Sequence, residues 1–293
     1  MMKNLKNSLI SKSAVVGMTM GLTAVTNAGT VAYWRFEDGP LGQVAAGNNG
    51  EEAYNNTITD SSGNGNHLRT YATFTSPSYI AAVPGSTVPG TGASNAFSLD
   101  FAPNRDIYTG AGSSLPAASF TNFTIEAYVS FDSLGSWQTF IGRDDSGSPG
   151  QGAGPESLFY FQAMGDGSNK LRVQAMDSLN TIHNVSSISA LSVNTWYHVA
   201  AVSNGTTMEL YLDGVLQGST SFTGGLYDPA QDTIWTIGRG QYGGNNGDFL
   251  DGKIDEVRFS DSALDSSLFL NVPEPGCFML AVLGACVSFK RRR

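Results

Sequence analysis

The middle of the chain alternates between hydrophobic and polar positions. In FTIEAYVSF, residues 123–131, every odd-numbered position is apolar, and the even-numbered positions are mostly polar. The same period of two occurs in VAYWRF at 31–36, in WYHVAAV at 196–202 and in DEVRF at 255–259. Alternation among β-branched and aromatic residues is typical of strands with one buried face. A helical period is nearly absent from residues 29–271, so the pattern predicts an all-β body.

The turns between these strands have a specific chemistry. Asp166-Gly167, Asn204-Gly205 and Asp213-Gly214 each separate two alternating runs. Such dipeptides supply the positive φ angles of tight hairpins, so neighbouring strands are expected to be antiparallel. We predict a two-sheet antiparallel sandwich, with one short helical turn near 264–270 capped by Asp265.

The N-terminal 28 residues have the composition of a signal peptide. Lys3, Lys6 and Lys12 precede an apolar stretch at 14–25, and small residues follow up to Ala28. This order of a basic, an apolar and a small-residue region is that of a secretory signal. We therefore expect an N-terminal signal helix, cleaved near Ala28, and an exported body.

The C-terminal end is also apolar and basic. Residues 277–289 carry no charge and are followed by Lys290 and three arginines at 291–293. As a helix, this run would span about 20 Å, which is short for a hydrocarbon core of about 30 Å. Basic residues beside an apolar segment stay on the cytoplasmic side. We expect an apolar helix that holds the exported chain transiently in the inner membrane.

The three parts of this tail, in this order, resemble the PEP-CTERM sorting signal of Gram-negative bacteria. The resemblance implies processing by the membrane protease exosortase and delivery to the outer surface or the extracellular polysaccharide matrix, with the tail either cleaved or retained. The domains expected are 1–28, the body 29–271, and the sorting signal 272–293. The residues that carry the sorting resemblance are Pro273, Glu274, Pro275, Arg291, Arg292 and Arg293.

The body between the two signals is strongly acidic. It holds 9 basic and 24 acidic residues, a formal net charge of −15. Nucleic acid and anionic lipid both require a basic surface, so neither is an expected partner. Both cysteines, Cys277 and Cys286, lie in the tail. The body therefore has no disulfide, although disulfides form in the compartment to which it is exported.

Several segments of the body resemble the laminin-G-like, concanavalin A-like jelly roll. They are AYWRFEDG at 32–39, DSSGNGNH at 60–67, NTWYHVAAVSNGTTMELYLDG at 194–214 and FLDGKIDEVRFSDSAL at 249–264. The resemblance implies two stacked antiparallel sheets, with the first and last strands side by side. It also implies that the protein binds carbohydrate, or that it is a retaining glucanase.

A calcium site is one interpretation of the acidic and amide residues. Asp and Asn oxygens suit calcium, and strict alternation would place Asp255 on the apolar face of its strand, where an unpaired carboxylate is costly. Relatives of this fold often bind calcium near such acids. The alternatives are a turn that bonds its own backbone, and a salt bridge from Asp255 to Arg258 or Arg35. The predicted ligands of one structural Ca²⁺ are Glu37, Asp60, Asn64, Asn66 and Asp255.

Catalytic patterns are missing from the sequence. Retaining glucanases place two carboxylates about 5–5.5 Å apart, but the chain has no Glu-x-Asp-x-Glu run, and Glu126 and Glu209 each lie alone on a strand, in solvated positions. There is also no Gly-x-Ser-x-Gly elbow. We predict that the protein is not an enzyme.

Sugar binding would use aromatic rings and polar groups in loops. Each of the candidate rings could instead anchor a loop in a half-buried position. The function predicted is non-catalytic binding of carbohydrate or exopolysaccharide; the alternatives are a structural or adhesive module that binds protein, and a glycoside hydrolase or lyase. The predicted ligand-binding residues are Trp137, Tyr227, Arg239, Tyr242, Asn245, Asn246 and Asp248.

Overall fold

The computed structural model describes residues 29–42, 58–69, 76–109, 113–115, 120–144, 157–227, 233–242 and 245–272. The predicted signal peptide and the motif that begins at Pro273 lie outside the described residues. No helix within the described ranges is long and apolar enough to cross a membrane.

The described residues form strands joined by loops, with one short 3₁₀ helix. The strands are β1 Thr30–Trp34, β2 Leu68–Arg69, β3 Ser78–Ile80, β4 Ser98–Phe101, β5 Ile107–Thr109, β6 Phe123–Phe131, β7 Gln138–Asp144, β8 Ser157–Ala163, β9 Lys170–Met176, β10 Ile182–Ala190, β11 Trp196–Ser203, β12 Thr207–Leu212, β13 Val215–Ser221, β14 Trp235–Ile237, β15 Gly240–Tyr242, β16 Asn245–Gly247 and β17 Gly252–Ser260. The 3₁₀ helix is Ser266–Leu268.

Two antiparallel sheets make up the sandwich. The eight-stranded sheet has the order β13-β12-β11-β6-β17-β4-β3, and β1 also pairs with β17. The seven-stranded sheet has the order β10-β9-β8-β7-β14-β5-β2, and β15 and β16 form a separate hairpin. The predicted all-β, two-sheet jelly-roll sandwich is confirmed, as is the predicted neighbourhood of the first and last strands.

The core lies between the sheets, and aromatic rings are among its largest side chains. Trp34 and Trp235 both contact Phe259, with ring centroids 5.3 and 4.8 Å apart. In β6 the odd-numbered side chains belong to this core, as alternation predicts. A sandwich core is built from the inward faces of both sheets. Residues 29–272 thus contain their own hydrophobic core, which is the property of a segment that folds alone.

The hairpin turns have the predicted geometry. Asp213 and Gly214 have φ angles of 50° and 78°, and Gly205 and Gly167 have φ angles of 81° and 89°. Asp213-Gly214 joins β12 to β13, which pair as an antiparallel hairpin. The turn chemistry read from the sequence therefore specifies these connections.

A bulge interrupts the alternation of β17. The register shifts between Asp255 and Arg258, and Glu256 has a φ of 49°. Asp255 consequently lies opposite Tyr128, on the outer face of the sheet, while Val257 stays in the core. The prediction that Asp255 shares a face with Val257 is wrong, because the extra residue of a bulge reverses the direction of the side chains before it.

The segment that follows β17 covers the outer face of the eight-stranded sheet. Asp265 caps the 3₁₀ helix by accepting a hydrogen bond from Ser267 N at 2.9 Å, so the predicted helical turn and its cap are confirmed. Phe269 and Leu270 then pack, fully buried, onto the sheet. We call residues 261–272 the covering segment.

Candidate functional site

The best-supported candidate site lies on the outer face of the seven-stranded sheet. The guanidinium of Arg172 in β9 lies over the Trp137 ring, with the Arg172 Cζ 4.4 Å from the ring centroid. Both side chains are half-buried. An arginine over a tryptophan face is a favourable cation–π pair, and it holds both side chains in place at this surface.

Asp248 joins the same group through its charge. Partial burial raises the pKa of Asp248 above its ordinary value, and the nearby charge of Arg172 opposes part of that rise. The Asp248 carbonyl accepts a hydrogen bond from Thr139 N at 2.7 Å, which attaches this loop to β7. The structure therefore brings two predicted ligand-binding residues, Trp137 and Asp248, together around Arg172.

Gln162 supports Arg172 from the neighbouring strand. With the amide oxygen of Gln162 facing β9, Arg172 Nε donates to it at 2.9 Å, and the Gln162 amide nitrogen donates to Thr139 Oγ1 at 3.1 Å. The β15–β16 hairpin packs so closely beside these residues that a Cβ on Gly240 would lie only 2.7 Å from Thr139 Oγ1. Glycine is therefore required where the hairpin meets the sheet.

The other predicted ligand-binding residues divide into three cases. Asn246 Oδ1 is buried and has no hydrogen-bond partner among the described residues. Tyr227 lies elsewhere, since its N–H donates to Met176 O at the far end of β9 from Arg172, about 13 Å along the strand. Tyr242 and Asn245 lie in the hairpin, and their side chains are outside the description.

Arg239 is not at the surface. Its side chain is 1% exposed, and its Nε donates to Asp106 Oδ2 at 2.7 Å. A buried arginine paired with a carboxylate holds the structure together, and breaking such a pair is costly. The expectation that Arg239 belongs to an exposed binding loop is therefore corrected.

Sequence reasoning missed Arg172, although a signal was present. In LRVQAM the apolar positions alternate with Arg172 and Gln174, so alternation already placed both outward on the same face. What the sequence did not show is that Trp137, from the loop two strands away, reaches across to β9.

The opposite face of the sandwich carries a network of buried acids under the covering segment. Glu126 is 0% exposed; its Oε2 lies 2.8 Å from His198 Nε2 and accepts from Leu270 N at 2.9 Å. Arg258 Nε donates to Glu126 Oε1 at 2.7 Å. Burial alone would raise the pKa of Glu126, but the hydrogen bond from His198 and the charge of Arg258 lower it. Glu126 is therefore structural, and the expectation that it is solvated is wrong.

Glu256 has a second set of partners in the same layer. It accepts from the Tyr33 hydroxyl, and Arg35 Nη2 lies 3.1 Å from its carboxylate. Because Arg35 pairs with Glu256 and Arg258 pairs with Glu126, neither arginine forms the salt bridge to Asp255 that the sequence suggested as an alternative.

Asp255 is left without a charged partner among the described residues. Its carboxylate accepts from Asn95 Nδ2 at 2.8 Å and from Glu256 N at 2.9 Å. Burial, only partly offset by the hydrogen bond from Asn95, raises its pKa well above the ordinary value of 3.8. Asn95 is also buried, and its Oδ1 has no hydrogen-bond partner in the described part of the chain.

The predicted calcium ligands fall into two separate groups. Asp60 accepts from the N–H groups of Tyr33, Ser62 and Asn66, so its carboxylate braces the loop, as in the turn interpretation. Asn66 Oδ1 accepts from Ser114 N at 2.9 Å, among other donors.

The side-chain amide of Asn64 acts as a hydrogen-bond donor, whereas a metal would bind its oxygen. Asn64 Nδ2 donates to the Thr30 carbonyl at 2.8 Å. Asp60 and Asp255 share no hydrogen-bond partner. Within the described ranges, no three Asp, Glu, His or Cys side chains converge as a metal site.

Glu37 belongs with Asp255 rather than with the loop. Its Oε1 accepts from Ala96 N at 2.8 Å and from Phe97 N at 3.0 Å, directly after Asn95. The charge of Glu37 also contributes to the raised pKa of Asp255. Glu37, Asn95 and Asp255 therefore form a second group of oxygens. Like the oxygens of the 60–66 loop, those of Glu37 and Asp255 accept backbone N–H groups, but Asn95 Oδ1 has no hydrogen-bond partner among the described residues.

A family model supports the jelly-roll resemblance. The model described as the concanavalin A-like lectin/glucanases superfamily matches residues 106–267, which is more than half of the chain. The chain belongs to this superfamily. The matched range contains β5 to β17 and the covering segment as far as residue 267.

Solved structures share the fold at low sequence identity. Domain 4 of AbnA, an extracellular arabinanase from Geobacillus stearothermophilus solved with arabinotriose, matches with a TM-score of 0.56 and 15% identity; the alignment covers 83% of this chain and 97% of that one. The binding domain of Paraclostridial mosquitocidal protein 1 matches with a TM-score of 0.50 and 16% identity, over 83% of this chain and 51% of that one.

The binding domain of botulinum neurotoxin serotype G is similar too, with a TM-score of 0.51 and 12% identity, over 83% of this chain and 50% of that one. The chain thus spans about half the length of these two toxin domains. No curated protein sequence matches it.

Proposed function

We propose that the protein is a non-catalytic carbohydrate-binding protein whose site is the outer face of the seven-stranded sheet around Trp137, Arg172 and Asp248. The observation that carries the proposal is the grouping of an aromatic ring, a guanidinium and a carboxylate at one half-buried surface.

These groups have the chemistry that a sugar requires. The apolar face of a pyranose or furanose ring packs on an aromatic ring, while its hydroxyls exchange hydrogen bonds with a few well-placed polar groups. Arg172 donates and Asp248 accepts, so both kinds of hydroxyl contact are provided. Domain 4 of AbnA, whose fold is similar over nearly its whole length, was solved with arabinotriose, and this supports an oligosaccharide as the ligand class.

The carboxylates described favour binding over catalysis. Glu126 is enclosed by His198, Arg258 and the covering segment, and so cannot touch a substrate. Glu209 accepts from the Tyr211 hydroxyl on its own strand. A retaining glycosidase needs two carboxylates that face one cleft, and these two acids do not supply that arrangement.

Export and sorting are part of the same proposal and rest on the sequence alone. The signal at 1–28 would direct secretion, and exosortase would act at the motif beginning at Pro273, placing the body at the surface or in the matrix of a Gram-negative-type bacterium. Mass spectrometry of the mature protein from such a host would test this. A mature C-terminus near the Pro-Glu-Pro motif is expected, and an intact tail that ends in Arg293 in all molecules would contradict exosortase processing.

We further propose that one structural calcium ion binds near Asp255, with Glu37 and Asn95 as the other ligands. Calcium prefers carboxylate and carbonyl oxygens, and Asp255 is a fully buried acid whose described partners are neutral. Bound calcium would supply the missing positive charge. We expect calcium to raise the thermal midpoint of residues 29–272 and chelator to lower it. The Asp255→Asn variant should lose that response, and an unchanged midpoint in the native chain would refute the site.

A glycan array tests the main proposal. Residues 29–272 are screened with calcium and with chelator, beside Trp137→Ala and Arg172→Ala. The control is Trp196→Ala, which removes a half-buried tryptophan from the opposite face. We expect the first two variants to weaken binding about five-fold or more and the control to retain it. The magnitude is taken by analogy from a nucleic-acid base stacked on an aromatic ring, which contributes about 1–3 kcal/mol.

Two results would overturn the carbohydrate proposal. If residues 29–272 bind no glycan in either condition, the protein is the alternative structural or adhesive module. If binding is lost in Trp196→Ala but not in Trp137→Ala, the site lies on the other face.

A further inference from the structure

A pocket of about 290 Å³ lies on the outer face of the eight-stranded sheet, away from the proposed sugar site. It is open to solvent, with the β11–β12 hairpin on one side and the covering segment on the other. The side chains that matter are Val202, Asn204, Glu209, Tyr211, Leu264 and Asp265. A volume of this size accommodates a small organic molecule.

Two carboxylates enter this pocket from different elements. Glu209 comes from β12, and its Oε2 accepts from the Tyr211 hydroxyl at 2.7 Å. Asp265 comes from the covering segment, and its Oδ1 accepts from Ser267 N at 2.9 Å. Neither acid forms an ion pair with a lysine, arginine or histidine of the described residues, so the pocket has about two uncompensated negative charges.

The negative charges of both acids affect the pKa of Tyr211. Partial burial, the hydrogen bond to Glu209 and the charges of Glu209 and Asp265 together raise the pKa of the Tyr211 phenol to about 12. The phenol thus stays protonated and donates to Glu209. Glu209 and Asp265 therefore both lie close enough to Tyr211 to affect its phenol, Glu209 more strongly than the exposed Asp265.

The floor of the pocket is apolar. Val202 and Leu264 are buried and belong to a small hydrophobic cluster with Phe269, whose ring meets Tyr211 edge-on at 5.2 Å. Asn204 does not supply a free acceptor, because its Oδ1 already accepts from the N–H groups of Thr206 and Thr207 and from the Thr206 hydroxyl. The pocket thus combines an apolar base with a negative rim.

We propose that this pocket binds a primary ammonium group carried on a compact body with an apolar side, as in an amino sugar. The ammonium has three donors and a full positive charge, which complements the two carboxylates, while the body of the ligand contacts the half-buried Tyr211 ring beside Val202 and Leu264. Calcium fits less well, since it takes six to eight oxygens and Asn204 offers none. A lysine side chain of a partner protein carries the same ammonium, so the test must separate these two sources.

The test is a titration of residues 29–272 followed by NMR. The three probes are glucosamine, N-acetylglucosamine and Nα-acetyl-lysine amide, which keeps its side-chain ammonium. We expect glucosamine to shift the resonances of Val202 and Leu264, and N-acetylglucosamine to leave them unchanged, because acetylation removes the positive charge. Equal shifts by both sugars, or no shift at these residues, would overturn the proposal. A response to the lysine amide that is stronger than that to glucosamine would reassign the pocket to a protein partner and overturn the amino-sugar assignment.

Charge-neutral variants test the acids without disturbing the fold. Glu209→Gln can still accept from Tyr211, and Asp265→Asn can still cap the 3₁₀ helix. We expect each to weaken glucosamine binding about five-fold, which corresponds to about 1 kcal/mol for one partly exposed charge near an ammonium, and to lose about half of the salt dependence. Asp261→Asn is the matched control, since Asp261 is exposed in the same segment but does not line the pocket.

The two proposed sites can fail separately. Trp137→Ala removes the proposed sugar site on the other sheet and should leave the glucosamine response at Val202 unchanged. Full affinity in both Glu209→Gln and Asp265→Asn, with a thermal midpoint that shows the variants folded, would overturn the ammonium site even if the glycan array succeeds.

Discussion

The outer faces of the two sheets differ in what lies on them. On the eight-stranded sheet, the covering segment buries Glu126, Phe269 and Leu270, and the Glu126 carboxylate takes all its described partners from the chain itself. On the seven-stranded sheet, Trp137 and Arg172 remain half-exposed. An outward side chain is therefore not the same as an exposed one. A sheet face that the chain covers becomes a second core, whereas an uncovered face is free to bind.

The largest effect is expected from removing the central acid of the covered face. Glu126→Ala should lower the free energy of unfolding by about 3–5 kcal/mol, because it leaves Arg258 and His198 buried without their partner. Urea unfolding at neutral pH measures this. Glu209→Ala is the control, since Glu209 also points outward from this sheet but is only half-buried; it should cost less than about 1 kcal/mol. Equal losses in the two variants would mean that the covering segment does not enclose Glu126.

A slightly smaller effect is expected from weakening the cover. Phe269 is fully buried against His198 and Tyr211, with ring centroids 5.7 and 5.2 Å away. Phe269→Ala should cost about 3 kcal/mol and increase hydrogen exchange at Leu270. Leu268→Ala, the neighbouring residue with a 40% exposed side chain, should cost less than about 1 kcal/mol. If Phe269→Ala is as mild as its neighbour, the segment is not part of the fold.

A smaller, pH-dependent effect is expected at Asp255. Its pKa is raised in the folded protein, so the folded state binds a proton more tightly than the unfolded state, and stability falls as the pH rises above the ordinary value of 3.8. In chelator, Asp255→Asn should therefore become progressively more stable than the native chain between pH 4 and pH 7. A difference that stays constant over this range would contradict the raised pKa.

Calcium reverses the sign of that difference. A bound cation stabilises the ionised carboxylate, so with calcium at pH 7 the native chain should be more stable than Asp255→Asn. The same urea series, repeated with the metal, compares the two conditions directly.

The smallest change in stability is expected on the open face. Trp137→Ala should lower the free energy of unfolding by less than about 1 kcal/mol beyond the loss of its contact with Arg172, while reducing glycan affinity. A loss as large as that of Phe269→Ala would mean that Trp137 is a structural anchor, which is the alternative that the sequence left open.

The strands and turns followed from the sequence because they depend on local chemistry. The run at 123–131 has its odd positions in the core, and Asp213-Gly214 forms the hairpin that its positive φ angles favour. Asp265 also caps the helical turn as expected. These features need only the residue and its neighbours.

The site was harder to predict because it depends on contacts between distant residues. Alternation did not show the bulge at Glu256, so Asp255 was assigned to the wrong face. Alternation also did not show that the covering segment buries Glu126, or that Arg239 pairs with Asp106 in the interior. Each of these contacts joins residues that are far apart in the sequence, and a single sequence without its fold gives no register for them.

The pairing of β1 with β17 also has a kinetic consequence. The Tyr33 hydroxyl donates to Glu256, 223 residues further along the chain, and β17 lies between β6 and both β1 and β4. The entropy cost of closing such a loop grows only slowly with its length, but folding dominated by distant pairings is slow. The first strand therefore pairs only after the last has been made. A chain that stops short of Gly252 would leave β1 without the strand with which it pairs and would separate β4 from β6.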